Sequence, residues 1–295
     1  MNSSKKKILI TGGTGYLGSH FINKFHTKYD FIILKRSFSN VSKLNVKDNS
    51  LIFYNLDHVI LKNIFEENKI DIVFHCATNY GRSDQSELNI LDCNLTLPVS
   101  LLQLSKQYKI KCFINTDTIL DKGVSHYALS KNHFNEWFKI FSNEITCLNV
   151  RLEHFYGPND DKTKFITKIL NQLLNSIDEI ELTKGDQIRY FLHIEDVIDA
   201  FDLIITSIND IETGYHNIDL GSSEGISIKD VTILLKTLTN NTTTKLNFGA
   251  IMYRPNEIMN PNLDLNFILK LGWKSKIKLE KGLKDIVEFE KNMIK

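Results

Sequence analysis

The sequence predicts a doubly wound α/β fold, a parallel sheet with helices on both faces, followed by a smaller C-terminal lobe. Three observations carry this expectation. The run Ile8-Leu9-Ile10-Thr11 breaks into glycines and resumes as a helical pattern. Short apolar runs then alternate with helical stretches as far as Val150. Beyond Gly157-Pro158 the alternation loosens. With 295 residues, 42% hydrophobic and 24% charged, the chain can build one large core or two coupled ones. Its formal net charge of +1 gives no global attraction to nucleic acid or to a membrane surface.

The stretch Lys7–Gly18 reads as strand, tight turn and helix. Gly12, Gly15 and Gly18 stand at G-x-x-G-x-x-G spacing, which suits a tight turn, close approach of backbone to a pyrophosphate, and close packing of the helix on the strand. The helix that begins at Tyr16 and Leu17 turns its N–H groups and positive dipole end toward the phosphates. A second strand, Phe31–Leu34, ends in Lys35-Arg36-Ser37, where the adenosine ribose of a dinucleotide belongs. An NAD site calls for an acid there, but Asp30 sits at the wrong end of the strand; Lys35 and Arg36 instead suit a 2′-phosphate. The expected cofactor is therefore NADP(H) in preference to NAD(H).

Leu51–Tyr54 reads as a third strand, Val59–Glu67 as a short helix and Ile70–Ala77 as a fourth strand, with His75 as a packed strand-end residue. Thr78-Asn79-Tyr80-Gly81-Arg82 then leaves the carboxyl edge of the sheet and is a candidate substrate loop. Glu87–Tyr108 reads as one long helix kinked at Pro98, and Lys111–Thr116 as the fifth strand, followed by Asp117-Thr118. Ser125 caps a helix to Phe141, and Ile145–Val150 is a sixth strand. Helices and short strands follow over Lys164–Asn175, Gln187–His193, Glu195–Ser207, Tyr215–Leu220, Ser227–Leu238 and near Lys281–Met293. The expected division is a nucleotide-binding domain over 1–158, to which segments near 187–212 return, and a substrate lobe over most of 159–295.

Cys76, Cys93, Cys112 and Cys147 lie in or beside apolar runs without C-x-x-C spacing, as expected of reduced core residues; no metal site is indicated. Lys5-Lys6-Lys7 precedes too short an apolar run for a signal-peptide core or a membrane span, so a cytoplasmic protein is expected. Only five of the 36 basic residues are arginine: Arg36, Arg82, Arg151, Arg189 and Arg254. A chain that solvates its surface with lysine uses arginine where a planar bidentate fork matters.

Tyr127-Ala128-Leu129-Ser130-Lys131 puts a phenol and an ammonium one helical turn apart, just after the fifth strand that ends at Thr116. A free phenol has a pKa of about 10, and a nearby cation lowers an acid's pKa by about 1–3, so Lys131 is expected to bring Tyr127 toward working pH. Tyr127 can then protonate an alkoxide formed by hydride transfer to a carbonyl, with Thr116 holding the oxygen.

Thr-Gly-Gly-Thr-Gly-Tyr-Leu-Gly (11–18), Tyr127 with Lys131, and Arg-Leu-Glu-His-Phe-Tyr-Gly-Pro (151–158) resemble the extended short-chain dehydrogenase/reductase family of nucleotide-sugar enzymes, over nearly the whole chain. The resemblance implies a Rossmann domain, a homodimer and a nucleotide-sugar substrate. It assigns Thr116, Tyr127 and Lys131 to catalysis. Gly12, Gly15, Tyr16, Leu17, Gly18, Lys35, Arg36, Ala77, Tyr127 and Lys131 are assigned to the cofactor, and Thr78, Asn79, Asp117, Thr118, His154, Arg189 and Arg254 to the substrate. The two arginines match those set on the sugar-nucleotide diphosphate. Asn94 matches an asparagine that supports the lysine, and His193 and Asp196 are structural.

Within the family, Asn-Thr-Asp-Thr (115–118), Arg-Leu-Glu-His (151–154), Gly-Asp-Gln-Ile-Arg (185–189), Phe-Gly-Ala-Ile (248–251) and Asn-Glu-Ile-Met (256–259) are most similar to CDP-abequose and CDP-paratose synthases. These use NADPH to reduce the C4 ketone of nucleotide-linked 4-keto-3,6-dideoxyhexoses made for lipopolysaccharide O-antigen or capsule. Two departures stand out: many relatives have asparagine in place of His154, and Thr116 precedes Tyr127 by only 11 positions. The competing activities are a 4,6-dehydratase, which carries an acid in place of Thr118, a 4-epimerase, and a non-catalytic nucleotide sensor.

Overall fold

A computed structural model describes residues 5–46, 50–82 and 86–294, with the side chain of residue 294 outside that description. The chain runs β1 (Lys7–Thr11), α1 (Tyr16–Phe25), β2 (Asp30–Lys35), β3 (Leu51–Asn55), α2 (Leu61–Glu67), β4 (Ile72–His75) and α3 (Glu87–Leu91). A π-helical turn over Asp92–Thr96 leads into α4 (Leu97–Gln107), then β5 (Cys112–Thr118), α5 (His126–Phe141), β6 (Thr146–Leu152), β7 (Phe155–Tyr156) and α6 (Phe165–Leu174). It continues with β8 (Glu179–Leu182), β9 (Ile188–Arg189), β10 (Leu192–His193), α7 (Ile194–Thr206), β11 (Tyr215–Leu220), β12 (Ile226–Ser227), α8 (Ile228–Thr239), β13 (Lys245–Phe248), α9 (Asn266–Lys270) and α10 (Leu279–Ile294).

Seven strands form one sheet in the order β11-β6-β5-β4-β1-β2-β3. β1 pairs in parallel with β2 and β4, β2 with β3, and β4 with β5. The apolar runs explain this placement, because strands covered on both faces cannot alternate polar and apolar residues. Residues 8–11, 31–34 and 72–75 are all buried. On one face Phe21 of α1 meets Phe31 and Phe74 edge-on, at centroid distances of 5.9 and 5.4 Å. On the other, Leu9, Ile32, Val73 and Phe113 join Leu101, Leu102, Phe134 and Phe138 of α4 and α5 in a single core.

Contacts divide the chain into two units, Met1–Arg151 with Ile204–Ile218, and Leu152–Leu203 with Asp219–Lys295. The second unit has its own core, in which Ile169, Leu170, Val231, Leu235, Leu283 and Ile286 bring together α6, α8 and α10. Here β8 and β13 pair in parallel. Asp196 holds the segment before α10 by accepting the backbone N–H groups of Lys276 and Ile277, both at 3.0 Å.

The long helix expected over Glu87–Tyr108 is interrupted. Pro98 has no N–H to give, and in a regular helix its ring would press on the carbonyl four residues back. The π turn just ahead of it, in which the N–H of Leu97 reaches Asp92 O, changes that register and leaves Asn94 fully buried.

Candidate functional site

The glycine turn is a cradle that side chains would fill. Gly12 has φ +71°, and a Cβ there would lie 2.5 Å from the backbone N of Ala77, at the exit of β4; a Cβ on Gly18 would collide with the carbonyl oxygen of Gly12. α1 has no side-chain cap at Gly15 and no acid in its first turn, so its own residues leave the positive end of the dipole to a ligand. Thr11 fixes the other wall: its hydroxyl bonds His75 Nδ1 at 2.8 Å and accepts the N–H of Ala77 at 3.3 Å. This arrangement fits a dinucleotide pyrophosphate at Gly12, Gly15 and Gly18.

At the exit of β2, Lys35 Nζ donates to the carbonyls of Arg36 and Ser37 at 3.3 and 3.4 Å, and the Arg36 guanidinium lies 4.6 Å from the Phe38 ring centroid. Asp30 stays at the opposite end of the strand, level with Lys7. Asp57, two residues beyond β3, accepts the N–H of Ser37 at 2.6 Å, and that hydrogen bond holds its carboxyl below the usual range. Sequence reasoning missed this acid. Its signal was a carboxylate just past a strand expected to lie beside β2.

β5 and α5 assemble the polar centre of the first unit. Ser125 caps α5 by accepting the N–H of Ala128, which places Tyr127 and Lys131 on successive turns. Lys131 is buried and donates to Thr116 O at 2.7 Å; burial lowers its pKa, opposed by the charge of Asp117. The Thr116 hydroxyl donates to His75 O at 3.3 Å. Asp117 is buried and accepts from Asn149 Nδ2 and from the N–H of Thr118, both at 2.8 Å; burial raises its pKa, while Lys131 and Asn149 restrain it.

The half-buried Tyr127 packs its ring 4.9 Å from that of Tyr80, which lies under Arg82 at 4.8 Å. Burial, the Tyr80 phenol and the Asp117 charge together push the Tyr127 phenol well above the ordinary value, against a hydrogen bond with Thr118. This corrects the expectation that Lys131 lowers it, since Lys131 is engaged by the backbone of β5. Asn94, on the π turn, clamps the candidate substrate loop: it exchanges two 2.8 Å bonds with the backbone of Asn79 and donates to Ser130 Oγ at 2.9 Å. It therefore supports the helix beside Lys131 through Ser130. Asn79 spends its own side-chain oxygen on the N–H of Gly81 at 2.9 Å, closing the turn of the loop.

In the second unit, the Glu153 carboxylate is fully buried and bonds His154 Nδ1 at 2.9 Å. Arg189 donates to the carbonyls of Ile188 and Ile258 at 2.6 and 2.8 Å and pairs with Glu257, whose other oxygen lies 3.8 Å from Nε of the exposed Arg254. Arg189 thus ties its strand to the segment Arg254–Met259, a tethering role that the sequence did not reveal. Of the two arginines assigned to the diphosphate, Arg254 is the one left at the surface. Among the described residues no cluster of three His, Cys, Asp or Glu can hold a metal, and no helix is long and apolar enough to cross a membrane.

The model of the NAD dependent epimerase/dehydratase family matches residues 8–221. The chain belongs to this family. It is accordingly an enzyme of the nicotinamide-dependent oxidoreductase type. The chain is 31% identical to a CDP-abequose synthase of Salmonella muenchen, over 97% of this chain and 98% of that protein. It is also 31% identical to a CDP-abequose synthase of Salmonella typhimurium, over 98% and 99%. Among solved structures, the UDP-glucose 4-epimerase of Thermotoga maritima, determined with UDP-glucose, superposes with a TM-score of 0.84 at 22% identity, covering 98% of this chain and 100% of that one. The UDP-glucuronic acid 4-epimerase of Bacillus cereus, determined with UDP-glucuronic acid and NAD, gives 0.83 at 20% identity over 97% and 99%. At these identities the two structures speak for the fold.

Proposed function

We propose that this family member reduces the C4 ketone of a nucleotide-linked 4-keto-6-deoxy or 4-keto-3,6-dideoxy hexose with NADPH, as part of deoxysugar supply for surface polysaccharide. The observation that carries the reading is that Thr118, a hydroxyl, follows Asp117 where elimination would call for a second acid, beside a protonated Tyr127 that can give its proton to a ketone oxygen. The similarity to CDP-abequose synthases over nearly the full chain supports the same direction.

The bound nicotinamide supplies the hydride. Gly12, Gly15 and Gly18 receive the pyrophosphate, with Tyr16, Leu17 and Ala77 lining it, and Lys35 with Arg36 receive the 2′-phosphate that distinguishes NADP(H). Tyr127 gives its proton to the C4 oxygen. The Thr116 hydroxyl turns from its 3.3 Å bond with His75 O, long for an O–H donor, to the same oxygen. Lys131, anchored on Thr116 O, holds the backbone of Thr116 in place beside the reacting oxygen. Arg254 meets the substrate diphosphate, with Arg189 fixing the segment that carries it, while Thr78, Asn79, Asp117, Thr118 and His154 border the sugar.

Thr118 stands where a dehydratase carries an acid, and a hydroxyl is too weak a base for elimination. The expected outcome is stoichiometric NADPH oxidation with a CDP-linked 4-keto-6-deoxyhexose and no 4-keto product from CDP-glucose with NAD⁺. A chromatographic 4-keto product in the second reaction would replace the reductase with a dehydratase.

A homodimer is part of the same reading. Leu129, Trp137 and Ile140 recur on one face of α5 and stay exposed, Ile140 by 68%, as does Leu88 of α3 by 71%. Light scattering at twice the chain mass is expected, reverting toward one chain in Ile140→Glu.

A further inference from the structure

The loop after β4 sets two side chains against Tyr127. Asn94 exchanges its two 2.8 Å bonds with the backbone of Asn79, and the Asn79 side chain accepts the N–H of Gly81 at 2.9 Å. Gly81 turns with φ +68°, a left-handed conformation that glycine adopts without strain. Tyr80 and Arg82 stand on either side of this turn. The Tyr80 ring lies 4.9 Å from the Tyr127 ring at an interplanar angle of 47°, and the Arg82 guanidinium lies 4.8 Å from the Tyr80 centroid. A guanidinium, a first ring and a second ring thus follow one another in series, at distances where each contact is attractive.

The same asparagine holds the other end of the series. Asn94 Nδ2 also donates to Ser130 Oγ at 2.9 Å, and that hydroxyl donates to the carbonyl of Tyr127 at 2.8 Å. Loop and helix are therefore fixed to one fully buried side chain, which sets where Tyr80 meets Tyr127. Tyr80 is 41% exposed, so its ring adds cover to Tyr127 from the solvent side. The groups bearing on the phenol come from two directions: Tyr80 and Arg82 from the loop, Asp117 and Thr118 from β5. On α3, Glu87 lies 3.6 Å from His126, one residue before it. Burial is the largest influence on the phenol, and the Arg82 charge acts against it.

We propose that Tyr80 is a positioning residue for proton transfer from Tyr127: its ring, backed by Arg82, covers one side of the phenol ring and keeps it in a single orientation. The proposal rests on the reductase reading above, in which Tyr127 gives its proton to the C4 oxygen. A phenol that swings off its line to that oxygen loses rate and leaves affinity almost untouched, because its orientation matters in the transition state and little for holding the rest of the substrate.

Two measurements test this, one of them without substrate. In protein labelled with ¹³C at tyrosine Cζ, the Tyr127 resonance is the one lost in Tyr127→Phe, and its titration reads the phenol directly. The midpoint should stand well above about 10 in the wild type and in Tyr80→Phe, which keeps the ring, and should fall toward about 10 in Tyr80→Ala as water reaches the uncovered side. In NADPH turnover with a CDP-linked 4-keto-6-deoxyhexose, Tyr80→Ala should lower kcat by about 10²-fold with KM for the sugar nucleotide nearly unchanged, and Tyr80→Phe should recover most of the loss. Arg82→Met, which removes the stacked cation, should lower kcat by less. Tyr80→Leu repeats both measurements if Tyr80→Ala misfolds. A raised KM at unchanged kcat in Tyr80→Ala would make Tyr80 a substrate contact and overturn the proposal, as would a kcat and a midpoint both equal to those of the wild type. Tyr80→Phe as slow as Tyr80→Ala would also overturn it. Wild-type protein that oxidises no NADPH, with the midpoints as expected, would support the placement of Tyr80 and remove the reductase instead.

Discussion

Polar side chains are fixed in opposite ways in the two units. In the first, Lys131, Thr116 and Asn94 are tied to backbone groups of neighbouring elements, and Tyr127 stays available with its proton in place. In the second, two buried charges are satisfied by neighbouring side chains: Glu153 by the hydrogen bond from His154, and Arg189 by Glu257. The difference teaches where each kind of group can act. A residue held through the main chain keeps its chemistry for a ligand, while a buried charge satisfied by a side chain mostly positions something else. Arg189 is the instructive case, because its fork grips Glu257 and two carbonyls.

The largest test of this contrast is Tyr127→Phe, which removes the proton donor but keeps the ring. Turnover with NADPH and the keto sugar should fall by about 10²–10⁴-fold with cofactor affinity nearly unchanged. Near-wild-type kcat would take Tyr127 out of the chemistry and erase the distinction on the first side.

On the second side, Glu257→Gln strands the buried Arg189 charge. Breaking a buried pair from one end costs about 3–5 kcal/mol, which should show as a lower denaturant midpoint of unfolding. Arg189 is then structural first, and nucleoside diphosphate affinity should fall in Arg254→Ala more than in Arg254→Lys. An unchanged midpoint in Glu257→Gln would return Arg189 to direct ligand binding.

Smaller still is the cofactor choice. Lys35→Ala with Arg36→Ala should narrow the preference for NADPH over NADH by removing charge-assisted contacts, each worth about 1.5–3 kcal/mol when formed. Asp57 holds the N–H of Ser37, the residue after Arg36, so Asp57→Asn, which removes a negative charge from the β2 exit, should widen the preference. Equal kcat/KM for both cofactors in the unmodified protein would end the assignment.

The smallest effect concerns His75, whose folded-state pKa lies well below 6.5, first through burial and then through the Lys131 charge. The unfolded chain takes up this proton below about pH 6.5 and the folded chain does not, so acid favours unfolding. The cost grows toward about 1.4 kcal/mol per pH unit below that point. His75→Asn should flatten this part of the stability profile; an identical acid limb would assign the sensitivity to the carboxylates.

The sequence by itself determined the sheet strands, the glycine cradle and the Tyr127–Lys131 pair, because each is local: an apolar run buried on both faces, a turn only glycine can make, two residues one helical turn apart. Ser125 was legible as a cap for the same reason. Tertiary structure alone decided the rest. Glu257 meets Arg189 across 68 positions, Asp57 reaches Ser37 across 20, and β8 and β13 pair over four residues each with no period long enough to read. It also reversed the state of Tyr127. Spacing places a lysine near a phenol, but only packing sets where the ammonium points and how much water the phenol keeps, and those two quantities decide its pKa.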